Sequence, residues 1–132
     1  MLQRYYHPNR RFRRLAQRAE GHNPHVHIPV DVRLEDDTYI LSAFVPGIAP
    51  EDVKIEVIED TVTISGEFVD SSEEGTRFLL RERPQGHFSR TLRLPTELDA
   101  GKSDADIVNG VLSLRVPKAE IAKAKVVKVK AK

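Results

Sequence analysis

Three clusters in this chain carry residue types that could do chemistry. The first is Ala100-Gly101-Lys102-Ser103, which contains the Gly-Lys-Ser of a phosphate-binding loop. Such a loop needs another glycine five residues before Gly101, following a strand, so that successive backbone N–H groups can wrap a phosphate. Thr96 stands at that position with Pro95 before it, so no nucleotide site is expected. The second cluster is His22-x-x-His25-x-His27, whose imidazoles could face zinc or copper. No cysteine completes it, and the nearby acids are only Glu20 and Asp31, so it reads as a solvated linker. The third is the start of the chain, where Tyr5, Tyr6 and Phe12 are interleaved with Arg4, Arg10, Arg11, Arg13 and Arg14. Cations with aromatics suit RNA or an anionic membrane surface. For catalysis there is no nucleophile elbow, no carboxylate pair and no serine with an evident histidine and aspartate partner. His87, next to Phe88, reads as a strand-edge surface residue. The expectation is a protein that is not an enzyme and has no cofactor and no metal.

Charge explains why the basic arm need not serve a nucleic acid. Over the 132 residues the net charge is +1, but its distribution is uneven. Residues 1–27 hold six arginines and one acid, and residues 118–132 hold six lysines and one acid. Residues 28–117 hold nine basic and eighteen acidic groups, a net of −9. An acidic body repels phosphate, whereas basic arms on an acidic body can dock on neighbouring copies. With no cysteine, no apolar run after the N-terminal arginines and no stretch long enough to span a bilayer, the chain is expected to be cytoplasmic, without membrane insertion.

The elements that would position these groups follow from periodicity. Phe12, Leu15, Ala16 and Ala19 fall at helical spacing, so a short amphipathic helix is predicted, ended by Gly21 and Pro24. From Val30 the period becomes two. Val30 to Leu34, Tyr39 to Val45, Val53 to Val57, Val62 to Phe68 and Phe88 to Leu94 alternate apolar with polar residues, with turns at Asp36-Asp37, Pro46-Gly47 and Glu59-Asp60. Residues 69–86 are too long for a hairpin and contain the apolar run Phe78-Leu79-Leu80. Residues 96–108 read as an excursion before Asn109-Gly110, a two-residue turn signal. Leu112, Leu114 and Val116 then share one face of a strand that Pro117 stops. Beyond it, Val127 and Val129 would point to one side of an extended tail, which has the form of a plug for a groove. The fold class is an all-β, immunoglobulin-like sandwich with a short N-terminal helical arm and an extended C-terminal tail.

Ala105-x-x-x-Asn109-Gly110-Val111-Leu112, then Val116-Pro117-Lys118, then the paired valines resemble the α-crystallin domain and tail of small heat-shock proteins of the bacterial and plant type. Further segments recur in family order: Pro29-Val30-Asp31, Tyr39 to Gly47, Glu51-Asp52-Val53-Lys54, Val62 to Glu67, Arg83 to Gly86, Phe88-Ser89-Arg90 and Leu94-Pro95. The resemblance divides the chain into an N-terminal arm (1–27), an α-crystallin domain (28–118) and a C-terminal extension (119–132). It implies an ATP-independent holding chaperone that assembles into homodimers and larger oligomers and binds unfolding client proteins. A co-chaperone module of similar fold, or a basic-arm protein that associates with nucleic acid or membrane, is the alternative.

The resemblance also implies sites. Thr76 to Glu82 matches a strand exchanged between subunits, so Phe78, Leu79 and Leu80 would lie at the dimer interface. Arg90, on the residues alone an ordinary exposed strand charge, matches an interface arginine that meets a carboxylate across the dimer. Val127 and Val129 would enter a groove walled by Val53, Ile55 and Val57 on one side and by the strand of Leu112 and Leu114 on the other. Tyr6, Phe12 and Leu15 of the arm would contact clients and neighbouring subunits. The tail carries valines where the family more often has isoleucines, which removes two methylenes, or ~1 to 2 kcal/mol per tail.

Overall fold

The computed structural model describes residues 26–131. The predicted helix with Tyr6, Phe12 and Leu15, together with His22 and His25, lies outside the described residues. The described chain folds into seven strands: β1 (Val30–Glu35), β2 (Thr38–Phe44), β3 (Val53–Ile58), β4 (Thr61–Phe68), β5 (Gly86–Arg93), β6 (Asp104–Val108) and β7 (Val111–Pro117). They form two antiparallel sheets, one in the order β1-β2-β7-β6 and the other β3-β4-β5. Among the described residues the only helical elements are single 3₁₀ turns at Pro50–Asp52, Ala100–Lys102 and Glu120–Ala122.

The alternating residues face one another across the sandwich. Tyr39, Leu41 and Ala43 of β2 and Leu112, Leu114 and Val116 of β7 meet Val62 and Ile64 of β4 and Phe88 of β5 in one core, each at most 5% exposed. No buried side-chain nitrogen or oxygen among the described residues lacks a partner, so the interior incurs no unpaired polar cost. Tyr39 illustrates how: its ring is buried while its hydroxyl reaches Thr96 Oγ1 at 3.0 Å. Ile40 is a departure from simple alternation. It lies on the opposite face of β2, between Arg33 and Arg115 in the register, and is still only 3% exposed.

Three hairpins turn on two residues each, and the first turn residue has positive φ in all of them: Asp36 (51°), Glu59 (56°) and Asn109 (52°). Gly110 follows at 77°, so the Asn-Gly pair supplies the two left-handed residues that a tight hairpin demands. Its carbonyl also receives the Val45 N–H at 2.7 Å, which ties this turn to the end of β2.

Within residues 96–108, expected from the sequence to be an excursion, Asp104–Val108 pairs with β7 as a full strand. The period of two is present there, but two aspartates and one alanine dilute it. β6 is an edge strand, and an edge tolerates such polarity because its outer side faces water.

Sheet edges decide what the sandwich can bind. A three-stranded sheet does not cover a four-stranded one, so β1 overhangs. Val32 and Leu34 pair with the core residues Leu41 and Tyr39 and share their face, yet they are 42% and 51% exposed. The free edge of β5, by contrast, is occupied. Val26 forms a parallel bridge with Phe88, its N–H donates to the His87 carbonyl at 2.7 Å, and Arg90 Nη1 donates to the Ile28 carbonyl at 3.2 Å.

Candidate assembly surfaces

Two surfaces combine exposed apolar groups with unsaturated geometry, and a third candidate is eliminated by its own hydrogen bonds. In Ala100-Gly101-Lys102-Ser103 the backbone N–H of Lys102 donates to Asp99 Oδ1 at 3.2 Å, and Ser103 Oγ donates to the Asp99 carbonyl at 2.8 Å. A carboxylate thus occupies the place where a phosphate would have to be cradled. His87 has its Nε2 3.8 Å from the Glu67 carboxylate on an open strand face, with both side chains exposed.

The first surface is a cleft of about 150 Å³ between the two sheets, lined by Pro50, Val53, Ile55, Ala105, Asp106, Ile107 and Leu112. β3 supplies one wall because Val53 and Ile55 alternate with Lys54 and Glu56, which face water as a 2.9 Å ion pair. That pair raises the Lys54 pKa, through the hydrogen bond that Lys54 donates to Glu56 and through the Glu56 charge. The opposite wall is β6 rather than the expected β7. Leu112 sits at the base, while Leu114 is 2% exposed in the core and Val57 is half-buried beyond the cleft. The sequence reading missed Ala105 and Ile107, although their alternation with Asp104 and Asp106 was the available signal. Val127 and Val129 lie on the extended tail at 83% and 96% exposure, so nothing among the described residues covers them.

The second candidate is a pair of exposed segments, the overhanging edge of β1 and residues 69–85. Residues 76–82 contain no strand in the single chain, and Phe78, Leu79 and Leu80 are 39%, 67% and 60% exposed. The loop has internal order nonetheless. Asp70 accepts hydrogen bonds from Ser72 through its N–H at 2.9 Å and through its hydroxyl, and Arg81 Nη2 lies 2.7 Å from Asp70 Oδ2. The Ser72 hydroxyl first, and then Arg81, hold the Asp70 carboxyl well below the usual carboxylate range. Arg81 also lies over the Phe78 ring, 4.3 Å from its centroid. These contacts join residues eleven apart through an irregular loop, so no periodic signal announces them. Arg90 is half-buried and engaged with the Ile28 carbonyl within its own chain.

The two-sheet sandwich with an inter-sheet cleft, an overhanging edge and an extended aliphatic tail defines an α-crystallin domain, a binding module without a catalytic constellation among its described residues. The chain belongs to the Hsp20/alpha crystallin family of small heat-shock proteins, whose family model matches residues 31–131, and its role is that of a chaperone. It is 41% identical over 103 residues to the 18 kDa heat shock protein of Streptomyces albus G, covering 77% of this chain and 72% of that one. Among solved structures it is similar to heat shock protein 16.0 from Schizosaccharomyces pombe, with a TM-score of 0.66, 32% identity and 81% and 99% of the two chains covered. It is also similar to the small heat-shock protein from Xylella fastidiosa, with a TM-score of 0.64, 31% identity and 80% and 98% coverage. The chain spans between 60% and 72% of the length of the curated relatives it matches. No helix among the described residues is long and apolar enough to cross a membrane.

Proposed function

We propose that this protein is an ATP-independent holding chaperone that works from dynamic homo-oligomers built of strand-swapped dimers. The observation that carries the reading is the overhang of β1. A strand edge that no described residue pairs, and whose inward side chains Val32 and Leu34 are about half exposed, is a template for one more strand. Residues 76–82 of a second copy supply one, with Phe78 and Leu80 on one face and Leu79 on the other. Arg90, near the junction of residue 28 and β5, then sits close to the pairing surface. The Xylella fastidiosa relative was described with a distinct high order structure, which supports self-association here.

Val127 and Val129 of one subunit enter the β3/β6 cleft of another, where Asp106 at the rim faces the lysines that flank the valines. Burying two valines contributes ~3 to 5 kcal/mol gross, and ordering the tail offsets much of it. Many weak contacts hold an assembly by avidity while single subunits still leave. Departure exposes the cleft and the arm residues Tyr6, Phe12 and Leu15 to apolar surface on unfolding clients. Cytoplasmic location, with no nucleic acid as principal partner, fits the acidic body. The deciding experiment is heat aggregation of a model client followed by light scattering with and without ATP. Protection that is equal in both is expected; protection that requires ATP, or no protection at equal mass, would refute the reading.

A further inference from the structure

Arg81 joins two parts of the loop that have no other reason to meet. Its guanidinium is paired with Asp70 at 2.7 Å and lies over the Phe78 ring at 4.3 Å, while Asp70 is held in turn by Ser72. Phe78 and Arg81 are three residues apart. In an extended strand successive side chains alternate between faces, so residues at an odd spacing point in opposite directions. The stacked pair therefore belongs to the compact loop and cannot persist once residues 76–82 become a strand. We propose that Arg81, anchored by Asp70 and laid on Phe78, is a latch that holds this segment in its own subunit and competes with its exchange onto a second copy.

The inference rests on the strand-exchange reading above and adds its regulation. Both contacts are partly exposed, with the Arg81 and Asp70 side chains 35% and 43% accessible, so each is weak alone. The latch accordingly biases the equilibrium several-fold and does not block it. It also shields one face of Phe78, the largest apolar group of the segment, while the subunit is alone.

The test measures the concentration at which the full-length chain becomes half monomeric, by sedimentation of a dilution series. Asp70→Asn removes the anchor from outside residues 76–82 and so subtracts nothing from the exchanged strand. Arg81→Lys keeps the charge but loses the planar stacking. Asp70→Asn is expected to lower the half-monomer concentration about three- to five-fold, with Arg81→Lys moving it the same way. An unchanged or raised concentration in Asp70→Asn would overturn the latch, and a rise would mean that the pair braces the dimer instead. Leu79→Asp with Leu80→Asp checks the underlying reading separately. If that variant dimerises as well as the parent, or the parent forms no dimer, strand exchange itself fails and the latch falls with it.

Discussion

Replacing Gly66 with alanine should destabilise the sandwich at the root of the long loop. Gly66 in β4 lies opposite Phe88 in β5, and an added Cβ would fall 2.6 Å from Phe88 Cζ, 2.9 Å from Cε1 and 3.0 Å from the Asp52 carbonyl oxygen. The phenyl ring cannot swing aside cheaply. It is 1% exposed and packs against Phe68 with centroids 5.1 Å apart. Overfilling a packed site costs about 1 to 3 kcal/mol, while alanine's smaller entropy loss returns about 0.5 to 1 kcal/mol. The net expectation is about 0 to 2.5 kcal/mol of lost stability, centred on about 1 kcal/mol, or roughly 5 °C in Tm for a domain of this size. Urea unfolding of Gly66→Ala, Phe88→Leu and the double variant closes a thermodynamic cycle. Because the smaller leucine vacates the space that the methyl needs, the double variant should be more stable than the sum of the singles by at least about 0.5 kcal/mol. Two additive singles would refute the claim that Phe88 requires a bare backbone opposite it.

Val127→Ala with Val129→Ala should reduce large assemblies to dimers on size exclusion if the proposed docking of the tail holds, since both valines are exposed among the described residues; an unchanged elution volume would remove the tail from assembly. Glu59 holds φ at 56° without the small side chain such a conformation favours, so Glu59→Asn should raise the unfolding midpoint, worth about 0.5 to 1 kcal/mol, while keeping the carbonyl that accepts the Leu98 N–H at 2.9 Å. Asp60 is paired with Arg93 at 2.8 Å and also accepts from Thr61; Arg93 first and then Thr61 lower its carboxyl pKa. A depressed folded pKa gives stability that is complete above the unfolded carboxylate value and is lost as pH falls through the folded one. The stability gap between the parent and Asp60→Asn should therefore shrink from about pH 6 to about pH 2 in urea titrations, and a constant gap would contradict it.

Much of the sandwich was legible because its core strands keep a strict period of two. Leu112, Leu114 and Val116 announced both strand and face, and Asn109-Gly110 announced the turn that fixes their register. Burial followed this pattern in β4 and β7, which have neighbours on both sides, and in β2 except at Ile40. It failed at β1, where Val32 and Leu34 have the right spacing but no sheet above them, because alternation encodes a face and not what covers it. β6 was overlooked because an edge strand needs little hydrophobicity, and with it went Ala105 and Ile107, which line the inter-sheet cleft. Ile40 and the Arg81 contacts lay further out of reach. The first lies between β1 and β7, the first and last strands, and the second depends on a loop closing over itself.

β1 begins at Val30, which pairs with Ala43, and β7 ends at Pro117, which pairs with Thr38 at the far end of the same sheet, where the Lys118 N–H donates to the Asp37 carbonyl. Along the sequence the charge runs positive, negative, positive: residues 1–27 and 118–132 are basic, and the stretch between them is acidic. A net charge of +1 gives copies little repulsion at long range, while a basic end of one copy attracts the acidic body of another. Raising ionic strength should screen that attraction before it weakens the apolar contacts, so salt would loosen the orientation of neighbours sooner than their adhesion.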